Sequence, residues 1–206
     1  MLKKVEFGPR AFRVRIELQN LLPPIWREIL VPSSYSFWDL HVAIQDSMGW
    51  FDHHLHAFRL ADAVTGQRVE IGIPLDEETS IGAPTLTSWE IPISAYLNKP
   101  GQKVEYEYDF GDGWQHQVLL AAIVPYERGM SYPVCIGGER ACPPEDCGGP
   151  WGYQVLLEAT RDPSHEEHLR MREWLGDEFD SECFDPRSVK FDDPKKRWKR
   201  AFNNGG

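Results

Sequence analysis

The sequence contains no long uninterrupted hydrophobic run. A helix that crosses a bilayer needs about 20 consecutive apolar residues, and no segment of the 206-residue chain approaches that length. The N-terminal residues MLKKVEFGPR include lysines but no apolar stretch after them, so they lack the pattern of a secretion signal. We therefore expect a cytoplasmic protein that does not bind membranes and whose cysteines are reduced.

Positive charge is also scarce. The chain has 22 Lys and Arg residues against 32 Asp and Glu residues, which gives a formal net charge of -10 at pH 7. Broad binding to a nucleic-acid backbone requires a basic face, so this composition disfavours nucleic acid as a partner. One local exception is KKRWKR, residues 195–200, and a short charged run of this kind is typical of a solvated tail.

Sequence motifs of several enzyme classes are absent. We find no glycine-rich phosphate loop, no dinucleotide-binding fingerprint and no pattern that pairs a nucleophile with a base. These absences favour a non-enzymatic protein. An internal repeat and a linker rich in Pro and Ser are absent as well. We therefore expect one domain over residues 1–191, followed by a basic polar tail over residues 192–206.

Hydrophobic periodicity predicts an α+β fold. Ser36 and Asp39 form a capping-box pattern before an amphipathic helix at 37–48, and two C-terminal helices are predicted at 150–160 and 165–175. A second capping box is predicted just before the last of these helices. Apolar and β-branched patterns predict strands at residues 11–18, 25–31, 54–60 and 69–73. These elements predict a mostly antiparallel sheet of hairpins that is packed by the three helices.

The segment YEYDFGDGWQHQVLL, residues 106–120, predicts a further β-hairpin, since apolar and polar residues alternate in both halves. A three-residue GDG loop would pair Phe110 with Trp114 and place the apolar residues of both strands on one face. A two-residue turn would mix the faces, because a one-residue slip exchanges every side chain. We therefore predict the three-residue loop, with Asp109 on the opposite face.

Histidines and carboxylates from several predicted elements are the candidate site residues. Such groups can converge into a metal site or into an acid/base pair. The alternative is that the histidines are half-buried sheet residues beside Trp and Tyr, and that the turn aspartates cap their own backbone. The residues of the candidate groove are His41, His54, His56, Asp109, Asp112, Trp114, His116, Glu145 and Asp146.

The segment CPPEDCGG, residues 142–149, is predicted to form an irregular loop, which we call the PPED loop. Its prolines restrict the backbone at one end and its glycines free the backbone at the other. We expect this loop to pack beside the 106–120 hairpin and to close one side of the groove. Glu145 and Asp146 would then either cap nearby amides or bind a ligand.

The four cysteines do not have the spacing of a common zinc motif. Structural zinc prefers cysteines with two to four residues between them, and only Cys142 and Cys147, with four between them, fit. Reduced apolar side chains, a disulfide in an oxidising environment and a zinc site are the alternatives. We expect no cofactor, and zinc is the less favoured alternative at Cys135, Cys142, Cys147 and Cys183.

Six short motifs occur together over residues 12–189: PPIWR, Leu40-His41, Gly49-Trp50, HLHAF, YDFGDGWQH and CPPEDCGG. In this order they resemble the plasmid pRiA4b ORF-3-like family. The resemblance implies an α+β domain that occurs on plasmids, transposons and chromosomes and has no established activity. Ala57 departs from the acidic residue expected in many members, which weakens any site that needs a carboxylate there.

Some members of that family have the label of a transposon resolvase. A serine recombinase needs an activated serine and an arginine cluster that binds phosphates, and neither pattern is present. Three hypotheses follow. The first is an interaction module that binds a protein or a small ligand in an aromatic, histidine-lined groove. The second is a metal-dependent hydrolase that uses His54, His56, His116 and Asp109. The third is a nucleic-acid accessory protein of mobile elements that uses the basic tail.

Overall fold

Alternating apolar and polar residues form one sheet, which has eight strands within the described part of the chain. The computed structural model describes residues 8–62, 65–74, 84–176 and 179–203. The strands are β1 (Arg10–Leu18), β2 (Ile25–Pro32), β3 (His56–Ala61), β4 (Arg68–Gly72), β5 (Leu86–Thr87), β6 (Lys103–Tyr108), β7 (Trp114–Pro125) and β8 (Val134–Glu139). Their order in the sheet is β5-β4-β3-β6-β7-β1-β2-β8, and every neighbouring pair is antiparallel except β4 and β5.

The helices are α1 (Phe37–Met48), α2 (Gly149–Arg161), α3 (His168–Leu175) and α4 (Pro194–Asn203). Together with the mostly antiparallel sheet, they confirm the predicted α+β class. The two faces of the sheet differ in polarity, as an antiparallel sheet with one solvated face requires. Val14 and Ile16 lie on the buried face, whereas Arg13 and Arg15 pair with glutamates on the other.

Helix α1 covers the buried face and begins and ends where its sequence predicts. The Ser36 Oγ accepts a hydrogen bond from the Asp39 backbone N–H, and the Asp39 carboxylate accepts one from the Ser36 N–H, which completes the capping box. Gly49 ends the helix in the left-handed conformation at φ +90°. Phe37, Leu40 and Ile44 are therefore held in the core.

The second predicted capping box is wrong. Helix α3 begins three residues later than predicted. The side chain of its N-cap residue, Glu167, makes no capping hydrogen bond. Instead, the Asp162 carboxylate accepts hydrogen bonds from the backbone N–H and the hydroxyl of Ser164. Aspartate after a helix thus forms a local turn that competes with capping.

The basic C-terminal segment is not a solvated tail over its described residues. It forms α4, which packs against α1 through an aromatic cluster of Trp38, Trp89, Trp198 and Phe202. Arg197 pairs with Asp46 at 2.6 Å. Its partners on α1 thus neutralise part of the basic charge. The domain boundary at residue 191 stays a prediction.

The segment between α3 and α4 wraps over the core irregularly, as predicted. Phe179, Phe184 and Phe191 are partly buried against it. The Phe184 ring also lies 3.6 Å from the Arg27 guanidinium carbon, in a cation–π contact. No helix in the described ranges combines the length and the apolar character that a membrane crossing requires.

Candidate functional site

The turn between β6 and β7 differs from the predicted one. Tyr108 pairs with Trp114, so five residues, 109–113, form the turn. The predicted pairing of Phe110 with Trp114 is wrong, and Phe110 is 47% exposed. Asp109 lies in the turn at φ +54°, where its Oδ1 accepts hydrogen bonds from two backbone N–H groups, those of Gly111 and Asp112, at 3.0 and 3.3 Å. This carboxylate satisfies the turn amides and thereby stabilises the longer loop.

The PPED loop packs against this turn. Asp112 Oδ2 accepts a hydrogen bond from the Gly148 N–H at 3.1 Å. Gly149, at φ +69°, approaches so closely that a Cβ there would lie 2.2 Å from the Asp112 carbonyl oxygen. A residue with a side chain would therefore separate the two segments. These contacts agree with the predicted position of the loop beside the hairpin. The Asp112 carboxylate thus accepts a hydrogen bond from the PPED loop, and not from the backbone of its own turn as one alternative predicted.

Glu145 connects the PPED loop to two other segments. Its Oε2 accepts a hydrogen bond from the Phe51 backbone N–H at 3.1 Å, and its Oε1 accepts one from the Tyr108 hydroxyl. Burial and then this carboxylate raise the pKa of Tyr108 above its ordinary value, so the hydroxyl stays protonated and donates. Trp50 Nε1 also donates to the Pro143 carbonyl at 2.9 Å. The loop is thus bound to the 50–55 segment and to β6.

We expect Glu145→Gln to lower the free energy of unfolding by about 1–2 kcal/mol, because one oxygen that accepts a hydrogen bond becomes an amide nitrogen. Asp146 is 69% exposed and accepts no hydrogen bond from the described residues. Asp146→Asn should therefore change stability by less than about 0.5 kcal/mol. Urea denaturation of the two variants beside the wild type tests this difference, and equal losses would contradict the assigned roles.

Three of the candidate residues meet at the surface where these segments converge. His54 Nε2 lies 3.0 Å from Asp146 Oδ1 and 3.6 Å from Asp109 Oδ2. One donor atom from each residue lies within 4.8 Å of the other two. No other group of three or more His, Cys, Asp or Glu side chains in the described ranges is arranged closely enough to share a metal ion. Imidazole nitrogen and carboxylate oxygen are donors that such an ion uses.

Three other candidate residues, His41, His56 and His116, lie in the core around Tyr106 and form a separate polar cluster. His41 Nδ1 is 2.8 Å from the Tyr106 hydroxyl, and its Nε2 is 2.8 Å from Asp52 Oδ1. Since the Tyr106 oxygen accepts from Gln45, its own proton is available for Nδ1, and the His41 Nε2–H then donates to Asp52. The His56 ring stacks on His41 with centroids 3.5 Å apart. This cluster therefore joins α1 to the sheet from inside.

Two of the buried histidines have ring nitrogens that find no hydrogen-bond partner within the part of the chain that the structure describes. Both nitrogens of His56 and the Nε2 of His116 are in this state. Burial, and then the neighbouring His41, lower the pKa of His56 well below 6.5, and burial lowers the pKa of His116 to about 4. Both rings are therefore neutral at pH 7, because a charged imidazolium would lose its hydration there.

The predicted hydrolase group does not assemble. His54 lies beside the buried Asp109 and the exposed Asp146, whereas His56 and His116 belong to the buried cluster. Trp114 is also buried and forms part of the core. The candidate residues thus divide into a surface group of His54, Asp109 and Asp146, a buried group, and the two loop-binding carboxylates Asp112 and Glu145.

A sequence model of the plasmid pRiA4b ORF-3-like protein family matches residues 10–188. The chain belongs to this family. It is 35% identical over 191 residues to the uncharacterized protein y4hQ of Sinorhizobium fredii (strain NBRC 101917 / NGR234). The aligned region covers 91% of this chain and 94% of y4hQ. The crystal structure of the protein of unknown function MM3350 from Methanosarcina mazei Go1 matches with a TM-score of 0.80 and 41% identity, over 89% of this chain and 98% of MM3350.

The motifs that mark this pRiA4b ORF-3-like chain lie around both groups. YDFGD and PPED supply Asp109 and Asp146 to the surface group, and HLHAF supplies one histidine to each group. The sequence interpretation missed Asp52, whose left-handed conformation at φ +62° lets it contact His41. Its position just after Gly49-Trp50-Phe51 did not indicate this role, because the contact joins side chains that only the fold brings together.

The four cysteines are not in the group of described residues whose ligand atoms lie close enough to share a metal ion. They are free, and they lie on β8, in the PPED loop and in the C-terminal wrap. Burial raises the pKa of the Cys147 thiol to about 12 and also raises that of Cys142, so both stay protonated at pH 7. A protonated thiol is a poor metal ligand and a poor nucleophile. Burial instead favours a role for Cys142 and Cys147 as small apolar side chains.

Proposed function

We propose that this protein is a non-catalytic interaction module that binds an apolar side chain of a protein partner between α2 and α3. A pocket of about 340 Å³ lies there, beside the surface group. Its volume is in the range of about 300–1,000 Å³ that is usual for binding pockets. The lining residues are Asp146, Cys147, Trp151, Gly152, Val155, Leu156, Arg170, Met171 and Trp174.

The single observation that supports this proposal best is the exposure of two tryptophans in the pocket wall. Trp151 is 76% exposed and Trp174 is 50% exposed. Large apolar side chains that are exposed together mark interaction sites, and Trp, Met and Arg are the residue types enriched at protein interfaces. No residue of helix α3 is buried: Leu169 and Trp174 are exposed, whereas Met171 and Leu175 are partly buried against the core.

The alternative functions have less support from the contacts. A nucleic-acid accessory protein of mobile elements would need the cations of α4, but Arg197 pairs with Asp46 and Asp52, and Arg200 pairs with Asp192. A hydrolase would need the predicted His/Asp group, whose histidines lie in two separate places. The interaction module therefore stays the leading hypothesis.

Selection from a random-peptide library displayed on phage tests the proposal. We expect the enriched peptides to share an aromatic or aliphatic residue and to bind the wild type at least about tenfold more tightly than Trp174→Ala, a loss typical of a central interface residue. Ile136→Ala on β8 is the matched control, since Ile136 is also exposed but lies outside the pocket. It should bind the peptides as the wild type does.

Two results would contradict the proposal. One is that no peptide is enriched over an unrelated protein of similar charge. The other is that the enriched peptides bind Trp174→Ala as tightly as they bind the wild type.

A further inference from the structure

We propose that His54, Asp109 and Asp146 bind one divalent first-row transition-metal ion. This inference goes beyond the interaction module, because it concerns a different kind of ligand and does not depend on peptide binding. Asp146 is the one residue that the ion site would share with the pocket between α2 and α3.

The distances fit a shared ion. Bonds of about 2.0–2.2 Å from zinc to nitrogen and oxygen place neighbouring ligand atoms roughly 3.0–3.5 Å apart. His54 Nε2 is 3.0 Å from Asp146 Oδ1 and 3.6 Å from Asp109 Oδ2, and all three ligand atoms lie within 4.8 Å of one another.

The orientation of His54 is the second observation. Its Nε2 is buried and makes no hydrogen bond with any described residue, although Asp146 Oδ1 is only 3.0 Å away. The contact is close enough for a hydrogen bond, but its direction is not suitable for one. Two ligands of the same ion approach each other in this way, since each directs its lone pair at the ion and not at the other ligand.

Asp109 is already oriented for such a role. The residue is buried, and its Oδ1 is fixed by the N–H groups of Gly111 and Asp112. Its Oδ2 accepts no hydrogen bond from the described residues and faces His54. Hydrogen bonds that hold one oxygen of a carboxylate and leave the other for the ion are typical of the surroundings of metal ligands.

Negative charge at the site lacks an equal positive partner. Asp109, Asp112, Glu145 and Asp146 converge here, and no Lys or Arg side chain of the described residues forms an ion pair with them within 4.0 Å; their basic neighbours are histidines. Carboxylates that are partly buried need compensation. A divalent ion supplies it directly, because it would be the largest local charge in the site.

The ligand set defines the class of ion. One imidazole and two carboxylates suit Mn²⁺, Fe²⁺, Co²⁺ or Zn²⁺ better than Cu⁺, which prefers sulfur ligands. Three protein ligands also leave at least one coordination position for water or for a donor atom of a partner. The site would therefore be an open one.

Titration of tag-free, chelator-dialysed protein with Zn²⁺ and Co²⁺ tests the proposal. We expect one ion per chain by calorimetry, and a visible Co²⁺ absorption band from the mixed nitrogen and oxygen ligands. His54→Gln and Asp146→Asn should each weaken binding at least about tenfold, as the loss of a metal ligand does. His53→Gln is the matched control, since this neighbouring histidine is exposed and outside the group. It should weaken binding less than about threefold.

The proposal is overturned if the wild type binds neither ion stoichiometrically, if His54→Gln and Asp146→Asn both bind as the wild type does, or if His53→Gln weakens binding as much as they do. Circular dichroism of each variant, recorded beside the titration, separates a lost ligand from a lost fold. Elemental analysis of protein purified without a metal-affinity column adds an independent measurement. Finding Mn, Fe, Co or Zn at one ion per chain would support the site.

Discussion

Trp114→Ala is expected to lower the free energy of unfolding by about 3–5 kcal/mol, the usual cost of truncating a large buried aromatic residue. Trp114 is 1% exposed and lies at the start of β7, directly opposite Tyr108. Its ring centroid is 5.8 Å from that of Trp50. The indole lies in the close-packed core beside Trp50, so neighbouring side chains could fill the cavity only in part.

Chemical denaturation measures this loss, and Trp151→Ala is its control. Trp151 is the same residue type, but it is exposed on α2. Its substitution should change the free energy of unfolding by less than about 0.5 kcal/mol, as surface substitutions usually do. A midpoint for Trp114→Ala close to that of the wild type would show that the ring is not part of the core.

The fold could be predicted from the sequence wherever periodicity alone decides it. Alternation in β1 and β7 identified the buried face correctly, and Ser36 with Asp39 identified the start of α1. The register of the β6–β7 hairpin could not be predicted in this way. It depends on the Asp109 carboxylate, which satisfies two turn amides and so stabilises a five-residue turn over a shorter one.

Strand β8 and helix α4 were missed because their stability comes from tertiary contacts. Strand β8 contains Gly137-Gly138, a pair that is typical of a loop. The glycines are accommodated because Trp26 packs over Gly137 and Phe184 packs against Gly138. Helix α4 has few apolar residues of its own. Its position depends on contacts with α1, which lies about 150 residues earlier in the sequence, such as the hydrogen bond from Trp38 Nε1 to the Pro194 carbonyl.

The candidate site was predicted as one group of histidines because the sequence gives residue types but not depth. His54 and His56 are only two residues apart, yet one is at the surface and the other stacks on His41 in the core. The boundary falls at His56, where β3 begins and pairs with Tyr108. Pairing of the backbone thus determines which imidazole can reach solvent and a ligand.

The two groups are nevertheless connected through one short loop. Asp52 binds His41 in the core at 2.8 Å and lies 3.8 Å from Arg197 of α4. The next two residues, His53 and His54, face the surface. Contacts of α4 and of the core therefore hold the backbone from which His54 extends, which is how a rigid scaffold positions a functional loop.

The buried histidines are expected to make the protein sensitive to acid well above the pH at which most carboxylates titrate. His116 has an unfolded-state pKa of 6.5, which burial lowers to about 4 in the folded state. Between these values the unfolded chain binds a proton that the folded chain does not, so stability falls as the pH falls. From pH 7 to pH 5, His116 alone should cost about 2 kcal/mol, since one pKa unit corresponds to about 1.4 kcal/mol.

His56 should act in the same direction, because burial and His41 lower its pKa too. Urea denaturation at pH 7, 6 and 5 measures the slope, and His116→Gln tests its origin. That variant loses stability at every pH because the core is disturbed, but its stability should fall less steeply between pH 7 and 5, by about 2 kcal/mol. Trp151→Ala, which changes an exposed side chain and removes no titratable group, should keep the wild-type slope. If His116→Gln and the wild type have parallel pH profiles, the imidazole of His116 is not the group that carries the acid sensitivity.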